Sequence, residues 1–366
     1  MSEKTSKRKD DHIRIVREKD VESGGAGFED IVLTHNALPE INKEEIDTSC
    51  ELLGNELKIP LLIDSMTGGN EQGKEINRNL AAAAEECGIG MGVGSQRAAL
   101  EDESLEETYS VVREVAPSAF IYGNIGVVQL KKYNMEKIER SVEMIDADAL
   151  AVHLNFIQEA VQPEGDVNAR GCLEAIKNVK ESLSVPIMVK ETGCGISQDL
   201  AEKLDNVGVD IINVGGKGGT SWPYIESYRA SANENHKKAK VGETFKDWGI
   251  PTAVSTHVSS EVHPCVIASG GIRTGLDIAK SLALGANAAA AATPFLEPGL
   301  KGKKEVINEI ERMKEELEVS MLSLSSKNTE ELSKVDVGLK GKVRDLIHGT
   351  TLDKKRSQAN TNDEHL

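Results

Sequence analysis

The side chains in this sequence that can do chemistry gather in short runs, each following an apolar stretch. The densest is His153-Leu154-Asn155-Phe156-Ile157-Gln158-Glu159, with four hydrogen-bonding side chains in seven positions. A carboxylate in such a run suits Mg²⁺, which takes one or two protein carboxylates and fills its shell with water and substrate phosphate, so Glu159 is a plausible ligand. Ser95-Gln96-Arg97, after Gly92-Val93-Gly94, sets a hydroxyl, an amide and a guanidinium in line. That is a set for an oxyanion gripped by a bidentate fork. Lys190 closes the apolar run Ile187-Met188-Val189, where a lysine seldom serves packing. It can hold a phosphate, form a Schiff base or stabilise negative charge on a cofactor ring.

Glycines mark the other runs. Gly270-Gly271 leads through Ile272 and Arg273 to Thr274, with Asp277 three positions on. A glycine pair opening a capped helix makes a nest of N–H groups for phosphate, and Ala291-Ala292-Thr293 ends the next apolar run. Asp64-Ser65-Met66-Thr67-Gly68-Gly69 offers hydroxyls, a soft apolar wall and close backbone approach. Gly123-Asn124-Ile125-Gly126 places an amide between glycines, and Gly215-Gly216-Lys217-Gly218-Gly219-Thr220 makes a mobile loop. Gly68, Gly73 and Lys74 imitate a nucleotide P-loop, but Glu75 stands where Ser or Thr would hold Mg²⁺, so that match is rejected.

These runs need elements that bring them to one place. Eight apolar segments bounded by Gly, Asn or Asp read as buried parallel strands: Pro60 to Ser65, Gly88 to Val93, Ala119 to Gly123, Ala149 to His153, Pro186 to Lys190, Asp210 to Val214, Cys265 to Ser269 and Asn287 to Ala292. Helical segments alternate with them: Glu71 to Cys87, Ser104 to Val115, Met135 to Ile145, Asn168 to Leu183, Gln198 to Asn206, Thr252 to Glu261 and Gly275 to Leu284. The sixth is rich in β-branched residues that would suit a strand equally. Eight β/α repeats predict a single (β/α)₈ TIM barrel, in which the chemistry sits where strands end. A doubly wound sheet would bring a G-x-G-x-x-G string, which the chain lacks.

The expected organisation is an N-terminal arm and lid over 1–59, the barrel over 60–324 and a C-terminal helical extension over 325–366 that ends in a disordered tail. Lys301 to Leu324 is the eighth helix, packed through Val306, Ile310, Met313 and Leu317. Arg8-Lys9-Asp10-Asp11-His12 reads by itself as a charged, frayed end.

With 60 acidic and 43 basic residues in 366, the formal charge is −17, which repels polyanions and argues against a nucleic-acid groove. No apolar run is long enough to span a membrane, and the lysine-rich start lacks the layout of a secretory signal, so a cytoplasmic protein is expected. Cys50, Cys87, Cys172, Cys194 and Cys265 are scattered and odd in number, as reduced core thiols would be.

Taken together, the runs resemble the type 2 isopentenyl diphosphate isomerases, FMN-dependent (β/α)₈ enzymes. The resemblance is carried by Arg8-Lys9 with His12, Met66-Thr67-Gly68-Gly69, Gly94-Ser95-Gln96-Arg97, His153-Leu154-Asn155 with Gln158-Glu159, Gln162-Pro163-Glu164-Gly165, Gly218-Gly219-Thr220 and Gly270-Gly271-Ile272-Arg273. It implies FMN bound by Ser65, Met66, Thr67, Ser95, Asn124, Lys190 and Thr220. The phosphate of FMN would sit at Gly270, Gly271, Ile272, Arg273, Ala292 and Thr293. Isopentenyl and dimethylallyl diphosphate would meet Arg8, Lys9, His12, Ser95, Gln96, Arg97, Asn155 and Gln158, with Mg²⁺ on Glu159. Gln158, His153 and Lys190 would be catalytic, with reduced FMN as acid and base and NADPH needed only to keep it reduced. The resemblance also implies a homo-oligomer, a tetramer or octamer. The departures are Asp64 and the pair Asp10-Asp11, which vary the loops without removing a proposed contact.

The alternative is an FMN-dependent oxidoreductase of the 2-hydroxy-acid dehydrogenase type on the same barrel. It wants an Arg for a carboxylate and a His base near the late strands, and His257 and His263 are the candidates. A non-catalytic flavin-binding protein is a third reading.

Overall fold

A computed structural model describes residues 2–163 and 165–348. Eight parallel strands close into a barrel in chain order: β1 (Leu61–Ile63), β2 (Gly90–Gly92), β3 (Ile121–Gly126), β4 (Ala149–Leu154), β5 (Ile187–Glu191), β6 (Ile211–Asn213), β7 (Val266–Ser269) and β8 (Ala288–Ala291). Each lies within a predicted segment or runs past its C-terminal end, as β3 does by three residues. Their side chains are apolar on both faces because one face fills the barrel and the other meets the helices. The pairing Gly126↔His153, His153↔Lys190 and Lys190↔Asn213 sets these residues at one level near the strand ends.

The predicted helices form with small shifts at their ends. Glu71–Cys87 is capped by the Asn70 side chain, which accepts from the Gly73 N–H at 2.7 Å, and stops at Gly88 in the left-handed region. A cap of this kind contributes about 1 kcal/mol. Its buried face, with Ile76, Leu80, Ala83, Ala84 and Cys87, carries the predicted period. Thr252–Ser260 is a helix despite its β-branched residues, because its buried positions pack on the barrel and override local preference. The capping box at Thr274 and Asp277 is present on both sides.

The segments outside the barrel differ from their sequence reading. Ser2–Glu18 is a helix that brings Lys9, His12, Ile13 and Val16 over the strand ends, rather than a frayed end. The remainder of 1–59 is divided: a hairpin, Cys50–Leu52 with Asn55–Leu57, inserts buried Leu52 and Leu57 among the barrel's interior side chains. Ile31–Leu33 pairs antiparallel with Val337–Leu339 and so ties the two ends of the chain together. Two helices that the sequence reading lacked, Trp222–Ala232 and His236–Thr244, are inserted after β6. A further one, Thr293–Lys301, precedes the long helix Lys303–Ser323. The expected disordered tail, with Lys354-Lys355-Arg356, lies outside the described residues.

All five cysteines are free thiols. Burial pushes Cys50 and Cys194 up to about 12 and Cys87 and Cys265 to about 11, which suits inert core positions. No helix among the described residues is long and apolar enough to cross a membrane.

Candidate active site

One cavity opens at the C-terminal ends of the strands, under the helix Ser2–Glu18, with a volume of ≈ 1590 Å³ counting its open mouth. His153, Lys190 and Gly271, which belong to three different strand ends, all line it.

The β1 end contributes Ser65, Met66 and Thr67. Ser65 Oγ and Thr67 Oγ1 are buried without a hydrogen-bond partner, an arrangement that calls for a polar ligand in the cavity. Next to them Ser95 turns its carbonyl to the Tyr109 hydroxyl at 2.7 Å and to Lys9 Nζ at 3.2 Å. Arg97 lines the cavity, half-exposed, with Nε on Glu101 at 2.9 Å. Gln96 does not join them. Its side chain is fully buried on the other side of the strand end, donating to the Ser141 carbonyl at 2.7 Å and accepting from the Asn124 N–H at 2.9 Å. The expected substrate contact is thus a strut, because at the N-cap of the short helix Arg97–Glu101 its side chain turns inward to the Ser141 and Asn124 backbone. Arg8 lies on the N-terminal helix, and its side chain falls outside what the structure describes.

Asn124 and His153 form a pair: Asn124 Oδ1 is 2.8 Å from His153 Nδ1, and Asn124 Nδ2 donates to the Val93 carbonyl at 3.2 Å. After β4 the chain enters the short helix Phe156–Val161, which turns Gln158, Glu159 and Gln162 toward the same space. Asn155 Nδ2 donates to Gln158 Oε1 at 3.2 Å and Glu159 Oε1 at 3.1 Å, while Glu159 Oε2 accepts from the Asp166 N–H at 2.8 Å. Among the described residues no group of three or more metal-ligating side chains is assembled. A cation at Glu159 would therefore take the rest of its shell from water and substrate oxygens.

At β5, buried Lys190 lies 3.5 Å from Asp64 Oδ2 and donates to the Glu191 carbonyl oxygen at 3.1 Å. Burial pushes the Glu191 carboxyl up to about 7, against three backbone N–H donors from Thr192, Gly193 and Cys194. The glycines at β6 and β7 allow backbone to meet backbone. A Cβ at Gly219 would stand 2.7 Å from the Gly271 nitrogen, and one at Gly271, whose φ is +79°, 2.4 Å from the Gly218 oxygen. Gly270, Gly271, Ile272, Arg273, Ala292 and Thr293 all border this corner, and the Thr220 and Thr293 hydroxyls are 3.1 Å apart.

Two participants, Glu226 and Tyr109, escaped the sequence reading, and a third, Asp64, is read there only as a departure that varies a loop. Glu226, fully buried on the helix Trp222–Ala232, lies 2.9 Å from His12 Nε2, accepts from Gln158 Nε2 at 3.3 Å and pairs with Arg229. Burial alone would raise its carboxyl, but the His12 hydrogen bond and the charges of His12 and Arg229 hold it below the usual range. Tyr109, fully buried, takes Lys9 Nζ at 2.6 Å. Asp64 supports Lys190. An isolated Glu between Ile225 and Ser227 was the available signal for the first. His257 is not among the residues that line the cavity, and His263 is buried with its ring nitrogens on the Cys265 and Val209 carbonyls. Neither is placed as an oxidoreductase base.

Comparison with known proteins bears on this site. The family model described as FMN-dependent dehydrogenase matches residues 16–154 and 152–338. A relative from Halobacterium salinarum named isopentenyl-diphosphate delta-isomerase is 54% identical over 96% of this chain and 98% of its own length. One of the same name from Archaeoglobus fulgidus is 51% identical, covering 94% and 98%. Among solved structures, a mandelate oxidase variant with an FMN adduct aligns with a TM-score of 0.59 at 17% identity, covering 87% of this chain and 94% of that one. A flavocytochrome b2 variant with benzoylformate gives 0.62 at 16%, covering 88% and 79%. At such low identity the two structures speak for the fold alone.

Proposed function

The chain belongs to the isopentenyl-diphosphate delta-isomerases and to the wider FMN-dependent dehydrogenase family, and from that premise we propose how its own residues carry the reaction. The substrates are isopentenyl and dimethylallyl diphosphate, interconverted by gain of one proton and loss of another. The observation that carries the reading is the pair of orphaned buried hydroxyls, Ser65 Oγ and Thr67 Oγ1, facing a cavity bordered by a close-packed glycine corner. Both features suit FMN, whose ring is rich in acceptors and whose phosphate needs backbone N–H groups. Reduced FMN, kept reduced by NADPH, supplies the acid and base chemistry of the double-bond shift when bound.

The protein's part is binding, orientation and charge. Ser65, Met66, Thr67, Ser95, Asn124, Lys190 and Thr220 hold the ring, and Lys190 stabilises negative charge on it. Gly270, Gly271, Ile272, Arg273, Ala292 and Thr293 hold its phosphate. Lys9, His12, Ser95 and Arg97 receive the substrate diphosphate, with Mg²⁺ on Glu159 neutralising its charge. Arg8, on the same helix as Lys9 and His12, joins them at the diphosphate. Asn155 and Glu226 hold Gln158 at the hydrocarbon end, while Asn124 fixes the plane of the His153 ring. The N-terminal helix covers this assembly and excludes water, with Ile13 and Val16 as its apolar side. A cytoplasmic homo-oligomer, tetramer or octamer, completes the proposal.

The test is an anaerobic assay with reduced FMN, Mg²⁺ and isopentenyl diphosphate. Dimethylallyl diphosphate should accumulate over many turnovers while the nicotinamide consumed stays fixed. Nicotinamide consumed in step with product would favour the oxidoreductase instead.

A further inference from the structure

Asp64 is a buried carboxylate that the mechanism above leaves without a task. It stands at the end of β1, immediately before Ser65-Met66-Thr67, and it lines the cavity. Its Oδ1 accepts two hydrogen bonds, from the Tyr122 hydroxyl at 2.9 Å and from the Ser65 N–H at 2.8 Å. Tyr122 is fully buried inside the barrel, where Gly92 makes room for its ring: a Cβ there would come within 2.1 Å of it. With Oδ1 fixed from two sides, Oδ2 is turned to Lys190 Nζ at 3.5 Å. That separation exceeds a direct N–H···O bond of about 2.7–3.2 Å, so Asp64 compensates the lysine's charge without occupying its donors.

We propose that Asp64, locked by Tyr122 and the Ser65 amide, sets how much of the Lys190 charge reaches the group bound in the cavity. The proposal rests on the reading that this group is FMN with Lys190 against its ring. A buried cation beside an electron-accepting ring favours the anionic reduced form, and a carboxylate on the far side of that cation opposes the effect. Asp64 thus keeps the bound flavin from being too easily reduced and, once reduced, from losing a proton too readily. Lys190 supplies the attraction, and Asp64 limits it.

The experiment measures the midpoint potential of FMN bound to the holoenzyme by anaerobic reduction against a reference dye, together with the Kd of FMN. Asp64→Asn keeps the size of the side chain and removes its charge. It should move the potential to more positive values, by about threefold or more in the reduced-to-oxidised ratio against the dye. Lys190→Met should move it the other way. Asp64→Ser, which also lacks the charge, serves if Asp64→Asn does not fold. Weaker FMN binding with an unchanged potential would assign Asp64 a merely structural role and overturn the inference alone. Failure of the unaltered chain to hold FMN would overturn the cofactor reading and this inference with it.

Discussion

Gln158 and Glu159 are adjacent in the chain yet have different supports. Gln158 is held between Asn155 and Glu226, whereas Glu159 is held by Asn155 and the Asp166 amide. Neither touches the glycine corner. Gln158→Ala and Glu159→Gln are therefore expected to lower kcat by at least about a hundredfold, as loss of a positioned acid–base or charge partner does, while FMN stays bound. Measured turnover and flavin content of the two variants check this, and near-normal rates in both would contradict it. Glu191 makes a different prediction. Its carboxyl is raised to about 7, so the folded state binds that proton more tightly than the unfolded chain does. The stability this gives is present below the unfolded carboxylate range and is lost as pH rises through about 7. In Glu191→Gln the difference between denaturation midpoints at pH 5 and pH 8 should shrink, and an unchanged difference would refute the assignment.

Elements decide what those residues can reach. The strands were legible because each is a short apolar run closed by Gly, Asn or Asp, and the barrel followed from their number and order. The N-terminal helix was not: ten charged residues among its seventeen mask the pair Ile13 and Val16, which pack only because a barrel mouth lies beneath them. Trp222–Ala232 was missed for the opposite reason, since polar Glu226 and Ser227 are buried while Trp222, Tyr224 and Tyr228 are only partly so, which leaves little helical periodicity. Glu226 vanished with it, and its partner His12 is 214 positions away. Gln96 was misread because a run of polar types does not say which of them faces inward. The glycine corner gives the prediction at this scale. Gly219→Ala pushes a methyl group against the Gly271 nitrogen. It should raise the Kd of FMN by about tenfold or more, and a titration that finds it unchanged would remove the corner from the cofactor site.

Across the whole molecule, the formal charge of −17 contrasts with the cations Lys9, Arg97, Lys190 and Arg273 at one mouth. Several are already matched, Arg97 by Glu101, Arg273 by Glu22 and Lys190 by Asp64, so the site is built to present positive charge without accumulating it. Because FMN would bridge several strand ends, its binding belongs to the folded state as a whole. The unfolding free energy should rise with free FMN, by about 2.7 kcal/mol at 100 times Kd. Denaturant titrations that show no dependence on FMN would contradict that.

The most direct test of the central claim, that one barrel mouth holds flavin and diphosphate together, is the visible absorbance spectrum of the FMN-loaded protein. It is recorded before and after anaerobic reduction, and again on adding isopentenyl diphosphate with Mg²⁺. The account predicts a flavin spectrum that bleaches on reduction and then changes in a saturable way with substrate. A reduced spectrum indifferent to substrate, in a protein that nonetheless forms product, would place the two ligands apart and contradict it.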